Sequence, residues 1–213
     1  SGDTDGSVNG KGNLIVGYDE ARPSGSDKSG SHNLVVGRYH NYTSYGGFVT
    51  GIYNTISSDY ASVSGGRSNT ASGWYSSVSG GWGNTASGDS SSVSGGRFST
   101  ASGSRSSVSG GSDNTASGTR SSVSGGQSNT ASGVRSSVNG GLKNTASEIG
   151  SSVSGGYDNT ASGYSSSVSG GRYNVASGDY SSVLGGGGDS EVEGNEAWAY
   201  YSVIGGGRGN TAG

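Results

Sequence analysis

The sequence predicts an all-β fold, a parallel β-roll (β-solenoid) of 14–15-residue coils. Three observations predict it. Nine valines, Val63, Val78, Val93, Val108, Val123, Val138, Val153, Val168 and Val183, recur every fifteen residues without a slip. Each sits in nearly the same phrase, S-S-V-S-G-G-x-x-N-T-A-S-G-x-x. Glycine supplies 46 of the 213 residues, a density that excludes helix. A fixed short period is the mark of a stack of like coils, in which function sits in whatever the repeat leaves free to vary.

The coil that begins at Val63 shows how each element arises. Ser62-Val63-Ser64 alternates polar, apolar, polar, the period-two pattern of a short half-buried strand. Gly65 to Asn69 reads as a turn, with glycines and Asn69 expected to supply its positive-φ positions. Thr70-Ala71-Ser72 reads as a second short strand whose Ala points opposite to Thr and Ser. Gly73-Trp74-Tyr75 turns back to the next valine. Two strands and two turns make a flat coil, each strand pairing in parallel with its equivalents above and below.

The phase extends outward from this block, with Phe48, Leu34 and Leu14 read as valine equivalents before it and Val203 after it. Residues 1–60 are then degenerate coils with an inserted loop at about 19–31, 61–184 are eight regular coils, and 185–213 are a degenerate coil with its own insertion. All belong to one continuous solenoid. Eleven or twelve coils at about 4.8 Å each give a module about 50–60 Å long.

Only 27% of residues are hydrophobic, yet the unbroken phase argues against a flexible linker. Cysteine is absent, so there is no disulfide framework and no Cys-ligated zinc. Net charge is −3, with four basic and six acidic residues in 1–60, seven and five in 61–184, and one and four in 185–213. None of these balances is that of a polybasic nucleic-acid binder, so nucleic acid is not an expected partner. No apolar run is long enough to span a bilayer. Methionine is absent even at position 1, so the chain is expected to be a piece of something longer, with any membrane anchoring in parts outside it.

One Val and one Ala per fifteen residues make a thin core, too thin for a lone chain. An obligate homo-oligomer is therefore expected, with subunits side by side along the fibre axis. The position after each valine equivalent reads Ile15, Val35, Val49, then a run of serines broken by Asn139, then Leu184 and Ile204. Taken as outward-facing, this column predicts a subunit interface plugged by Ile15, Val35, Val49, Leu184 and Ile204 at its ends.

The coil S-V-S-G-G-x-x-N-x-A-S-G-x-x resembles the head repeat of YadA-like trimeric autotransporter adhesins, roughly S-V-A-I-G-x-x-S-x-A-x-G-x-x. Asn13-Leu14-Ile15-Val16-Gly17 and Asn33-Leu34-Val35-Val36-Gly37 are closer still, and the resemblance runs from about residue 8 to the end. It implies a left-handed parallel β-roll, three chains to a fibre, displayed on a bacterial surface for adhesion; phage tail fibres carry similar rolls. The unit here is one residue longer, and the family's inward Ile is read as Val16, Val36 and Thr50, then as Gly from Gly65 onward.

What varies lies at the turns. The second-turn column reads Tyr60, Tyr75, Ser90, Arg105, Arg120, Arg135, Gly150, Ser165, Tyr180 and Tyr200. Three successive arginines repel one another unless something anionic or aromatic meets them. The first-turn column includes Trp82, Arg97 and Tyr157, with Trp74, Phe98, Tyr164 and Tyr173 near it in phase. Exposed aromatics suit stacking on sugars or on a protein partner. The candidate ligand-binding residues are therefore Trp74, Tyr75, Trp82, Arg97, Phe98, Arg105, Arg120, Arg135, Tyr157, Tyr164 and Tyr173, and the expected partner is a cell-surface glycan or protein. No catalytic arrangement recurs, His32 and His40 being isolated, and no cofactor is expected. Asp3-x-Asp5-Gly6 and Asp189-x-Glu191-x-Glu193 lack the full calcium-loop spacing, so no metal is expected. The expected function is adhesion by the head or tip of a trimeric surface fibre. The alternatives are a passive spacer and an ice-binding face built from the T-x-S rows.

Overall fold

The computed structural model describes residues 10–213, so Asp3 and Asp5 lie outside it. The chain is an all-β parallel β-solenoid of about twelve turns, with no α-helix among the described residues. One sheet has 13 strands, from Leu14–Val16 through Ser62–Val63 to Val203–Ile204; the other has 12, from Asn41–Tyr42 to Thr211–Ala212. Every strand pairs in parallel with its equivalent one coil away, as Val93 with Val108 and Ala101 with Ala116. A third row of single parallel bridges runs along the first turn from Ile52 through Arg67, Trp82 and Arg97 to Arg172. Each coil therefore has a third hydrogen-bonded corner beyond the two strands expected of a flat coil.

The core is a column of valines facing a column of alanines, all at most 1% exposed from Val63 to Val183 and Ala71 to Ala176. The residue before each of them, Ser or Thr except at Val175, is half-buried and faces outward, as the two-residue period demands.

At both ends the inward column lies one residue away from the expected one. Val49 pairs with Val63, Val35 with Val49, Ile15 with Val35, and Val183 with Ile204. Val35, Val49 and Ile204 are buried and Ile15 packs against them, so these four line the coil interior and form no outward interface column. Of that set only Leu184 faces out, 57% exposed. The reason is local: Leu-Ile-Val, Leu-Val-Val and Val-Ile place apolar residues side by side, and alternation then no longer tells inside from outside. The same shift makes Val16, Val36 and Thr50 equivalents of the outward Ser64, not of Gly65.

Asn69 likewise differs from its expected turn role. The left-handed positions of that turn are Gly66 and Ser68. Asn69 is fully buried, and its Nδ2 donates to Gly65 O (3.1 Å) and to Gly81 O one coil on (3.0 Å). Its Oδ1 accepts the backbone N–H of Asn84 at 2.9 Å. The same bonds recur from Asn114 to Asn174, so a row of amides stitches coil to coil inside the stack. A buried polar row is stable only when fully bonded, and this one is.

His40 opens this row. Its Nδ1 accepts the Asn54 N–H (3.3 Å) and its Nε2 faces Val36 O (3.1 Å), so the ring with its proton on Nε2 reproduces what an Asn amide does elsewhere. Burial, opposed by backbone carbonyl contacts, holds its pKa below the usual 6.5. The unfolded chain then binds the proton first, so stability is full above about pH 6.5 and falls as pH drops toward the folded-state value. Thermal melts across that range are expected to show this loss, and His40→Asn to flatten it. An unchanged profile in the variant would assign the dependence to the carboxylates.

The 19–31 insertion docks on the N-terminal coils. Arg22 Nε donates to Tyr39 O (2.7 Å) and its Nη2 to Tyr53 O (2.8 Å) and Asn54 O (2.9 Å). The buried Tyr42 hydroxyl bonds Asp19 Oδ2 at 3.1 Å, and burial, aided by that carboxylate, pushes its pKa up to about 12.

Candidate functional site: two ladders at the turns

The two turns place side chains in rows along the stack. In the second turn, Tyr60, Tyr75, Ser90, Arg105, Arg120, Arg135, Ser165, Tyr180 and Tyr201 all adopt left-handed φ values between 50° and 61°. The last member is Tyr201 and not Tyr200, because the step across the final insertion is 21 residues, as Val183 paired with Ile204 shows. Each row member is tied to a carbonyl of the preceding coil, as Arg105 N–H to Asp89 O (2.8 Å), Arg120 N–H to Ser104 O (2.9 Å) and Arg135 N–H to Thr119 O (2.9 Å). In the first turn the left-handed row includes Tyr53, Ser68, Phe98, Asp113, Lys143 and Tyr173.

This conformation favours glycine; a larger L residue there costs roughly 1–2 kcal/mol. Backbone preference therefore does not account for Tyr, Phe or Arg in these rows. The cores of the coils fix where the side chains stand, and the side chains themselves are set against the local preference.

The sequence-predicted residues fall on two edges. Trp74, Tyr75, Arg105, Arg120, Arg135 and Tyr164 stand on the second-turn edge; Trp82, Arg97, Phe98, Tyr157 and Tyr173 stand on the first-turn edge. Apart from Tyr157 and Tyr173, which are half-buried, all are exposed. On the first-turn edge Trp82 packs against Phe98 (centroids 4.9 Å apart), with Arg97 over the Phe98 ring at 5.4 Å. Tyr157 and Tyr173 meet edge-on at 5.3 Å; Arg172 lies 5.5 Å over Tyr157 and bonds Asp189 at 2.8 Å.

On the second-turn edge Tyr60 and Tyr75 stack at 5.0 Å and 9°, with Tyr45 behind Tyr60 (5.2 Å) and Trp74 against Tyr75 (4.6 Å). At the far end Tyr164, Tyr180 and Tyr201 form a second group, Tyr164 and Tyr180 at 5.3 Å and Tyr180 and Tyr201 at 5.1 Å. Lost hydration, then the neighbouring phenols, raise the Tyr180 pKa. Between the two groups the guanidinium groups of Arg105, Arg120 and Arg135 make no hydrogen bond, ion pair or ring contact among the described residues.

Sequence reasoning missed the carboxylates on this edge, at Asp59, Asp89 and Asp179. Asp89 Oδ1 accepts the Trp74 N–H (3.2 Å) and Asp179 Oδ1 accepts the Tyr164 N–H (2.9 Å), each one coil back. The signal was there, in an Asp standing just before the row residue at 59, 89 and 179.

Asp189 and Glu193 are engaged with Arg172 and Arg208, and no group of three metal-ligating side chains occurs among the described residues. A depression of about 410 Å³ beside Tyr18, Glu20, Arg38 and Ile52 lies where the first insertion leaves the stack. No described helix is long and apolar enough to cross a membrane. The chain matches no protein-family model and no curated protein.

Proposed function

We propose that this chain is the head or tip segment of a trimeric, extracellular surface fibre, on a bacterial surface or a phage tail, and that it adheres to its target through the turn ladders. The observation that carries this reading is the set of exposed aromatic and arginine side chains held at left-handed positions that the backbone would give to glycine. A passive spacer has no use for them. Adhesion is checked by coating beads with the chain and measuring retention on bacterial and animal cells. Replacing Trp74, Tyr75, Trp82 and Phe98 by Ser is expected to abolish retention; equal retention would leave the spacer.

The outward face of the 13-stranded sheet supports self-association. Its rows are serine in the middle and apolar at the ends, with Leu14 62%, Leu184 57% and Val203 61% exposed. Small residues let chains approach closely, and the apolar ends seal the contact. Leu184→Asp combined with Val203→Asp is expected to convert a trimer to monomers in light scattering. An unchanged mass would place the contact on another face, and a folded wild-type monomer at micromolar concentration would end the trimeric reading.

One observation favours a second reading. On the 12-stranded sheet Thr70, Thr85, Thr100, Thr115, Thr130, Thr145 and Thr160 stand in register, a regular hydroxyl row of the kind that suits ice. Absence of thermal hysteresis would remove it.

A further inference from the structure

We infer that the second-turn edge is a single extended site for an acidic linear polysaccharide lying parallel to the fibre axis. The inference rests on the adhesion reading and names its ligand class. What points to it is the order of chemistry along one edge. A stack of rings ending at Trp74 and Tyr75 comes first, then the small Ser90, then Arg105, Arg120 and Arg135 on successive coils. Gly150 and Ser165 follow, and then the second ring group around Tyr180. Tyr75 and Tyr180 are seven coil steps apart, about 34 Å at the spacing of paired strands. The two residues that flank the arginines, Ser90 and Gly150, carry almost no side chain, so the row is open on either side of the cationic segment.

The three guanidinium groups are exposed, unpaired and a coil apart, which is unfavourable for like charges and suited to a ligand with repeated anionic groups. Guanidinium binds carboxylate and sulfate through paired N–H donors, so either group serves. At both ends the ring groups offer their exposed edges and phenol hydroxyls to a hydroxyl-rich chain.

The carboxylates decide between polysaccharide and nucleic acid. Single-stranded nucleic acid also uses cationic grooves and aromatic platforms, but it carries a phosphate at every nucleotide and needs free ring faces for its bases. Here Tyr60 and Tyr75 cover each other's faces, and Asp89 and Asp179 stand beside the two ring groups. A carboxylate there repels a phosphate and accepts a sugar hydroxyl. An acidic polysaccharide, rich in hydroxyls with anionic groups at intervals, satisfies both the ends and the middle.

The test uses the full chain in its native assembly, with four probes: alginate, chondroitin sulfate, neutral dextran and a single-stranded oligothymidylate. Arg105→Ser, Arg120→Ser and Arg135→Ser are combined in one variant, since Ser already stands at this position in the coils of Ser90 and Ser165 and the backbone accepts it. Arg38→Ser with Arg67→Ser on the other edge, neither among the candidate ligand-binding residues, is the control, and circular dichroism confirms the fold of each. Alginate or chondroitin sulfate is expected to bind, and dextran and oligothymidylate to bind about tenfold or more weakly. The triple variant is expected to lose about tenfold or more in affinity, the control variant to keep it, and Trp74→Ser to weaken it. Binding of neither acidic polysaccharide, equal binding of dextran or oligothymidylate, or an unaffected triple variant would overturn the inference. The adhesion reading is separable. Wild-type beads that hold to cells despite excess alginate and despite the triple substitution would leave adhesion standing and remove this ligand. Polysaccharide binding in solution without retention on any cell would do the reverse.

Discussion

Gly126→Ala is expected to break the stack, while Gly125→Ala next to it is expected to leave it intact. A Cβ at Gly126 would stand 2.1 Å from Gly141 O and 2.5 Å from Asn129 Nδ2, and φ there is +83°. Both neighbours are held: Gly141 O accepts bonds from Gln127 N–H and from the Asn129 amide, so neither can retreat without lengthening the coil-to-coil ladder. Overpacking of this kind, added to a left-handed alanine, costs about 3 kcal/mol or more. At Gly125 a Cβ meets nothing within 4 Å, and a change within about 0.5 kcal/mol is expected. Urea melts of the two variants check the contrast. Equal midpoints would mean that the coils can move apart, and the close-approach account would fail.

The second large effect is expected at Asn129. Asn129 is itself fully buried; its Nδ2 donates to Gly125 O (2.8 Å) and Gly141 O (3.0 Å), and its Oδ1 accepts the buried Asn144 N–H (2.9 Å). Asn129→Ala removes three bonds and leaves the Gly125 carbonyl and the Asn144 N–H without a partner, while Gly141 O keeps its bond from the Gln127 N–H. At about 1–3 kcal/mol for each of these two groups, a loss of about 2–6 kcal/mol is expected. Asn129→Ser is expected to lose less. The chain already makes that exchange at Ser99, whose hydroxyl accepts the Asn114 N–H at 3.3 Å and keeps the row continuous. Thermal melting ranks the two variants; an Ala variant as stable as the Ser variant would show that the amide row carries little of the stability.

The regular coils were legible because Val63 and Ala71 each stand alone between polar neighbours, and period two leaves them no other way to face. The end coils were not, because Ile15 and Val35 have apolar residues on both sides, Val49 follows Phe48, and Val203 and Ile204 stand adjacent. Only pairing across coils, Val49 on Val63 and Ile204 on Val183, separates inside from outside there. Asn69 was misread because Asn is also a common turn residue, and two of its side-chain partners lie twelve and fifteen residues away, beyond any local pattern. The arginine row was legible from phase alone. Its aromatic flanks were legible as residues but not as stacks, since ring contacts such as Tyr60 with Tyr75 depend on side-chain angles that no spacing reveals. Tyr201 was displaced by one because the last insertion shifts the count.

In the central block, every coil pairs its strands only with the coil before and the coil after, in the same register each time. Removing or duplicating one fifteen-residue unit therefore changes no bond elsewhere; the neighbours on either side meet as the original ones did. Near-identical repeats also recombine readily at the level of the gene, so length is the property of this protein that inheritance can alter most cheaply. The chain is a ruler whose divisions can be added singly, and each added division carries one more position on either edge at which a new side chain can be tried without disturbing the rest.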